Sequence, residues 1–115
     1  MIVDIDLSPV TVLIIDDSRY ARSFIKSALL SFTRSMAAAY AADGIRVNAI
    51  APGPVDTDMV RNNPQEVIDV MASNTLMKRL ANPDELVGTA LLLCSGAGSY
   101  ITGQVVIVDG GGTPR

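Results

Sequence analysis

Short runs of β-branched and other apolar residues constrain the fold of this chain most. Val10–Ile15 and Val105–Val108 are apolar or β-branched at successive positions, a pattern typical of strands buried on both faces of a parallel sheet. Ile45–Ile50 is predicted to form another strand. It is expected to end there, because the two prolines in Ala51–Pro54 prevent its continuation. The chain is therefore expected to contain a buried sheet.

Residues with helical spacing separate the first two strands. Apolar residues recur from Ala21 to Tyr40 at intervals that place them along one side of a helix. Asp17 or Ser18 can cap the start of this helix, and Asp43–Gly44 is expected to end it. The first part of the chain is predicted to be a strand, a long helix and a strand.

Two further helices are predicted before the last strand. One begins at Pro64 and runs to about Ser73, and the other opens at Asn82–Glu85 and stops at Gly96–Gly98. The segment between Pro54 and Pro64 is predicted to be loop. Alternating strands and helices predict an α/β fold, in two or three layers, with a parallel sheet of three to four strands and three main helices. With 115 residues, we expect one domain, 1–115.

The charge and cysteine content exclude several kinds of function. A formal net charge of −3 gives no attraction to nucleic acid or acidic lipid, and no apolar run is long enough to span a membrane. Cys94 is the single cysteine and histidine is absent, which removes an internal disulfide and the commonest metal ligand and general base. Cys94 is predicted to be a small core residue. We expect a cytoplasmic protein with neither nucleic acid nor membrane as partner.

Five segments carry a resemblance to a known family over residues 27–113. Together these segments resemble the C-terminal half of a short-chain dehydrogenase/reductase, which implies a Rossmann-like fold and a nicotinamide cofactor, NAD(P). The matching segments are Ala28–Arg34, Gly44–Gly53, Arg79–Glu85 and Tyr100–Gln104, followed by Val108–Gly111.

The resemblance implies an incomplete catalytic centre. Lys26 matches the family lysine, and the family tyrosine is expected four residues earlier, where this chain has Arg22. A guanidinium stays protonated and cannot exchange a proton with a carbonyl substrate. Tyr20 is predicted to lie on a different side of the helix from Lys26, so it does not replace the missing residue. No catalytic residue is therefore predicted.

The same resemblance implies a remnant of the nicotinamide site. In the family, backbone atoms at the position of Val55 and the hydroxyl at the position of Thr57 bind the carboxamide, and Lys26 holds the ribose. A turn that simply leaves a strand also explains Pro52–Thr57. We therefore expect weak nicotinamide affinity, if any.

The first quarter of the chain shows a different resemblance. Residues 10–26, and Val12–Arg22 in particular, resemble the first strand and helix of a response-regulator receiver domain, which has a flavodoxin-like fold. The resemblance implies that Asp16 and Asp17 match an acidic pair that helps to bind magnesium. As helix-capping anions these two residues need no further function.

Three hypotheses for function follow. The first is an engineered or recombined α/β scaffold, joining a receiver-like start (1–26) to a reductase-like segment (27–115), without catalytic activity and with no cofactor. The alternative is a truncated NAD(P)-dependent short-chain dehydrogenase/reductase fragment. The third is a magnesium-binding, receiver-like signalling module.

The sheet predicts a homo-oligomer. Strands that move one place in the same direction through right-handed crossovers have their helices on one face of the sheet. The other face of this sheet would then expose a large apolar surface. Either residues 1–9 and the long helix repack across that face, or a second copy of the chain covers it. We expect the second of these, a homodimer or higher oligomer.

Overall fold

The computed structural model describes residues 11–15 and 22–112. Within them, the strands β1 (Thr11–Ile15), β2 (Arg46–Pro52) and β3 (Val105–Val108) form one parallel sheet in the order β1-β2-β3. Val12 lies opposite Val47, and Ile50 lies opposite Val106. The predicted α/β fold with a parallel sheet is confirmed.

The helices follow the predicted order with one addition. They are α1 (Arg22–Tyr40), α2 (Asp58–Arg61), α3 (Gln65–Ser73) and α4 (Val87–Cys94), with short 3-10 turns at Ala41–Asp43, Pro83–Leu86 and Gly96–Gly98. The addition is α2, in a segment predicted to be loop. Gly44 ends the first helical segment as predicted, since it has a φ of 76° and its N–H donates to the Ala41 carbonyl over 3.0 Å.

Strand β2 is the centre of the fold. Its residues from Arg46 to Ala51 are all buried, which is the burial expected of a middle strand in a covered parallel sheet. Strand β3 lies at the edge of the described sheet, and Ile107 on it is exposed.

Helix α4 packs on one face of the sheet. Leu93 on α4 and Ile50 on β2 are fully buried and form the core of this layer. The partly buried residues that pack against them are Ala90, Ile101, Val106 and Val108. Because side chains alternate along a strand, the even-numbered residues of β2 and β3 face α4.

Helix α1 covers the opposite face. It contacts β2 and β3, and it buries Thr33 and Ala37, one turn apart. The odd-numbered residues of β2 on this face, Val47 and Ala49, are fully buried. The described fold is therefore three-layered, and the prediction that all helices share one face is wrong.

The two crossovers consequently have opposite hands. Both connections move the chain one place in the same direction across the sheet, but α1 and α4 lie on opposite faces. The preference for right-handed crossovers is strongest for a strand that feeds directly into a packed helix. Between β2 and β3, several turns and the helices α2 and α3 come before α4, so this connection is not a simple crossover.

The outer side of α4 remains exposed and apolar. Leu91 and Leu92 are exposed, and so is Cys94, which corrects the prediction that this cysteine is a core residue. Because α4 is apolar on nearly all sides, its sequence pattern does not predict which side packs against the sheet. Since α1 and α4 cover both faces of the sheet, the original reason for a homodimer no longer holds, and the homodimer stays a prediction.

Candidate functional site

The loop that leaves β2 passes very close to the end of β3. The Gly53 N–H donates to the Val108 carbonyl over 2.9 Å. A Cβ atom built on Gly53 would lie 2.6 Å from the Cα of Asp109, which is closer than real atoms approach. Glycine at position 53 therefore lets the loop start beside the carboxyl ends of β2 and β3, the usual position of ligand sites in parallel α/β sheets.

A backbone bridge holds this loop against a distant segment. Val55 pairs with Ala81 in an isolated parallel bridge. The Ala81 N–H donates to the Pro54 carbonyl over 2.9 Å, and the Asp56 N–H donates to the Ala81 carbonyl over 2.8 Å. The conformation of residues 54–56 therefore depends on the position of residue 81.

An ion pair stabilises the next part of the loop. The Arg61 side chain donates to both carboxylate oxygens of Asp56, over 2.8 and 3.0 Å. The hydrogen bond from Arg61 lowers the pKa of Asp56, with the positive charge of Arg61 adding to the effect. This pair joins the loop to the end of α2.

Two polar groups on the loop remain available for a ligand. Thr57 is the N-cap residue of α2, but its hydroxyl makes no capping hydrogen bond. Among the described residues, neither the Thr57 hydroxyl nor the Val55 N–H has a hydrogen-bond partner. The half-buried loop thus presents one backbone donor and one hydroxyl that can accept or donate.

Residues 79–85 form a closed set of hydrogen bonds around Ala81, which we call the clasp. Arg79 donates to the two carboxylate oxygens of Glu85 over 2.6 and 2.7 Å. The same carboxylate accepts the Asn82 N–H over 2.8 Å, and the Asn82 side chain accepts the Asp84 N–H. Hydrogen bonds from Arg79 and then from Asn82 lower the pKa of Glu85 from 4.5 to about 2.

The low pKa of Glu85 predicts a specific loss of stability in acid. Because the folded-state value is about 2 and the ordinary value is 4.5, the stabilisation is complete above pH 4.5 and disappears as the pH falls to about 2. Glu85→Gln should therefore show a shallower fall in stability across this range than the unchanged chain. Urea unfolding at several pH values in this range measures both slopes.

A matched control separates Glu85 from other carboxylates. Glu66 on α3 is exposed and makes no ion pair with any described residue. Glu66→Gln should keep the slope of the unchanged chain, including the part that Asp56 contributes. Equal slopes for Glu85→Gln and the unchanged chain would contradict the role assigned to Glu85.

The structure brings some of the predicted site residues to one edge of the sheet. Val55 and Thr57 lie on the loop after β2, and Arg22 and Lys26 lie in the first two turns of α1, which follows β1. The carboxyl ends of parallel strands lie at the same edge of the sheet, so the two segments that carry these four residues both leave the sheet at that edge. Asp16 and Asp17 lie outside the described residues.

The described residues contain neither a metal-binding cluster nor a membrane-spanning helix. No group of three or more His, Cys, Asp or Glu residues that could hold a metal ion occurs within them. In the same part of the chain, no helix is long and apolar enough to cross a membrane.

Neither the bridge from Val55 to Ala81 nor the clasp is predicted by the sequence pattern. The capping signal in Asn82–Glu85 was visible, and it correctly predicted the start of a helical segment. Nothing in the spacing showed that Arg79 shares the same carboxylate, or that Ala81 pairs with Val55. The bridge needs folding to bring distant segments together, whereas the clasp is local but depends on the path of the chain between Arg79 and Glu85.

Comparisons with known proteins identify the family. A model of the family described as enoyl-(acyl carrier protein) reductase matches residues 5–113. The chain is 44% identical to cis-4-hydroxycyclohexanecarboxylate dehydrogenase of Sinomonas cyclohexanicum over 91 residues, covering 79% of this chain and 36% of the relative. It is 39% identical to galactitol 2-dehydrogenase (L-tagatose-forming) of Cereibacter sphaeroides over 114 residues, covering 95% of this chain and 44% of the relative.

A solved structure shows the same fold. The crystal structure of 3-oxoacyl-[acyl-carrier protein] reductase from Brucella melitensis ATCC 23457 superposes with a TM-score of 0.72 at 42% identity. The match covers 77% of this chain and 34% of that protein, and it confirms the Rossmann-like fold. The chain spans less than half the length of each of these relatives.

These matches overturn two of the predictions. The family match begins at residue 5 and includes the first quarter of the chain, so a receiver-like portion and a chimera have no support. The hypothesis of an engineered or recombined scaffold without catalytic activity is therefore wrong, and the matches favour its alternative, a reductase fragment. The chain belongs to the enoyl-(acyl carrier protein) reductase family of short-chain dehydrogenases/reductases.

Proposed function

We propose that this chain is part of an NAD(P)-dependent oxidoreductase and forms the wall of the cofactor site that faces the nicotinamide. One observation carries the proposal. The half-buried loop after β2 presents the Val55 N–H and the Thr57 hydroxyl, both without hydrogen-bond partners among the described residues, at the carboxyl edge of the sheet. The family to which the chain belongs usually binds NAD(P), which supports this choice of ligand.

The two free groups fit a nicotinamide carboxamide. A carboxamide has one carbonyl oxygen that accepts and one amino group that donates. The Val55 N–H can donate to such an oxygen, and the Thr57 hydroxyl can accept from such an amino group. Because Val55 and Thr57 are separated by a single residue that is held by Arg61, the pair is fixed on a short, stabilised loop.

The proposal assigns binding, and no proton transfer, to the residues of α1. When bound, the nicotinamide supplies hydride transfer. Lys26 matches the family lysine that holds the ribose, and Arg22 occupies the position where the resemblance expects a tyrosine. Since a guanidinium keeps its proton, Arg22 is not proposed as the acid for a carbonyl substrate.

A titration with nicotinamide mononucleotide tests the proposal. This probe carries the nicotinamide and ribose without the adenosine half, for which no site is proposed here. Amide NMR signals of Val55 and Thr57 should shift and saturate at millimolar probe, whereas adenosine monophosphate should leave them unchanged. Unchanged signals with both nucleotides would overturn the proposal.

Replacing Thr57 by valine should weaken this binding. The substitution keeps the β-branched shape but removes the hydroxyl, at a cost of about 1 kcal/mol for one hydrogen bond, or about fivefold in affinity. Thr89→Val on α4 is the matched control, because Thr89 lies on a different element and takes part in none of the hydrogen bonds that hold the loop. Equal affinities for the two variants would show that the Thr57 hydroxyl does not contact the ligand.

A further inference from the structure

The clasp is placed so that it can set the position of the nicotinamide-facing loop. Its central residue, Ala81, makes both backbone hydrogen bonds of the bridge to residues 54 and 56. Arg79 and Glu85 lie on either side of Ala81 along the chain and are joined to each other by two hydrogen bonds. The segment that holds the loop is therefore itself closed into a ring.

A buried threonine anchors the clasp to the rest of the fold. Thr75 is 2% exposed, and its hydroxyl contacts both the N–H and the carbonyl of Arg79, over 3.3 and 3.2 Å. Nearby, the Met77 N–H donates to the Gly110 carbonyl over 3.1 Å, just beyond β3. The backbone at position 79 is thus fixed independently of the Arg79 side chain.

Helix capping alone does not explain Arg79. The capping box needs only Asn82 and Glu85, which satisfy each other's backbone N–H groups. Arg79 lies before the helical segment, yet it takes both oxygens of the Glu85 carboxylate and also donates to the Leu80 carbonyl over 3.1 Å. The guanidinium therefore links Glu85 to the backbone just before Ala81. A planar group with several N–H donors can make these contacts together, which a lysine ammonium cannot do as well.

We propose that Arg79 and Glu85 are positioning residues, which hold Ala81 so that its bridge keeps Val55 and Thr57 in the conformation that receives the nicotinamide. This inference rests on the proposed function for its ligand. The ion pair is half exposed, at 47% and 43% of the two side chains, so solvent screens it and its contribution to overall stability is modest: it should change the pH slope of unfolding without loosening the whole fold. Its effect should be local to the loop.

The test is Arg79→Gln, which breaks the clasp and leaves the capping box intact. In the free chain, the Asp56 and Ala81 amides donate across the bridge, and hydrogen exchange at these two sites should accelerate about tenfold. The Ala49 and Gly103 amides, which donate within the sheet region, should change little. Nicotinamide mononucleotide should bind several-fold more weakly.

Two other variants make the result specific. Glu85→Gln keeps an oxygen that can cap Asn82 but loses the charged, paired contact with Arg79, so it should repeat the pattern. Arg34→Gln makes the same chemical change at an exposed position on α1 and should leave the Asp56, Ala81 and Ala49 amides unchanged; the Gly103 amide does not count in this comparison, because Arg34 lies close to Gly103.

Two results would overturn the proposal. One is unchanged exchange at Asp56 and Ala81 in Arg79→Gln, and the other is equal acceleration at all four amides, which indicates general destabilisation. If the unchanged chain does not bind nicotinamide mononucleotide, the proposed function fails, and the exchange pattern still decides whether the clasp positions the loop.

Discussion

Gly53→Ala is expected to destabilise the chain by about 3 kcal/mol and to abolish nicotinamide binding. The added Cβ would lie 2.6 Å from the Cα and 2.7 Å from the Cβ of Asp109. The first of these atoms belongs to the backbone, so it cannot move aside as a flexible side chain could. The loop and the end of β3 must separate, and the hydrogen bond from Gly53 to Val108 should be lost.

Gly88→Ala is the matched control for this substitution. A Cβ atom on Gly88 meets nothing within 4 Å, and the residue lies inside α4. Alanine is the better helix former, so this variant should be more stable by about 0.5 to 1 kcal/mol. Urea unfolding midpoints compare the two variants, and similar stability changes at both positions would show that the contact between Gly53 and Asp109 is not tight.

Arg46→Met is expected to cost about 3 kcal/mol, since charged donors give about 1.5 to 3 kcal/mol per hydrogen bond. Arg46 is 8% exposed at the start of β2. Its guanidinium donates to the carbonyls of Gly98 and Ile101 over 2.8 and 3.2 Å, and to that of Ser95 over 3.4 Å. Methionine fills similar space but removes these three hydrogen bonds from the charged donor, and each carbonyl then keeps only its other donor, which is a backbone N–H for Gly98 and Ser95 and the Asn48 side chain for Ile101.

The turn that carries these carbonyls is tightly packed, which increases the expected loss of stability in Arg46→Met. A Cβ atom on Gly98 would overlap the Leu92 carbonyl, so the turn is packed directly on the end of α4. It has little freedom to turn its carbonyls toward water. Arg34→Met, at an exposed arginine on α1, should change stability by no more than about 0.5 kcal/mol. Equal urea midpoints for Arg46→Met and Arg34→Met would refute this role.

Much of the secondary structure was predictable because it depends on local signals. The apolar pattern of Val105–Val108 gave a strand, Gly44 ended a helix, and Asn82–Glu85 opened a helical segment. Each of these signals acts within a few residues, through alternation, a left-handed φ or a side-chain cap.

The placement of the helices was not predictable in the same way. Helix α4 is apolar at nearly every position, so its sequence does not show which side packs on the sheet. The prediction that all helices share one face treats the connection from β2 to β3 as a simple right-handed crossover. That connection also contains α2 and α3, so the handedness rule does not fix the position of α4.

The receiver-like resemblance failed for a physical reason. An acidic or hydroxyl residue is favoured wherever a buried strand leads into a helix, because it caps the helix. Asp16, Asp17 and Ser18 satisfy that general need in the predicted strand and helix, so they do not distinguish between families. The family match over residues 5–113 includes this segment and nearly all of the rest of the chain, and it decides the matter.

The candidate site was predictable only in part. Val55 and Thr57 were found through the family resemblance, and the structure places them on one half-buried loop. The segment that holds this loop, centred on Ala81, lies far along the chain, and its pairing with Val55 arises only in the folded state. The same holds for the close approach of Gly53 to Asp109.

The location of bound nicotinamide is the most direct test of this function. Intermolecular nuclear Overhauser effects should connect the nicotinamide ring protons of bound nicotinamide mononucleotide with the methyl groups of Val55 and Thr57. Bound nucleotide whose ring protons show such effects only to other residues, or no binding at millimolar concentration, would contradict the proposal that this loop forms the nicotinamide-facing wall.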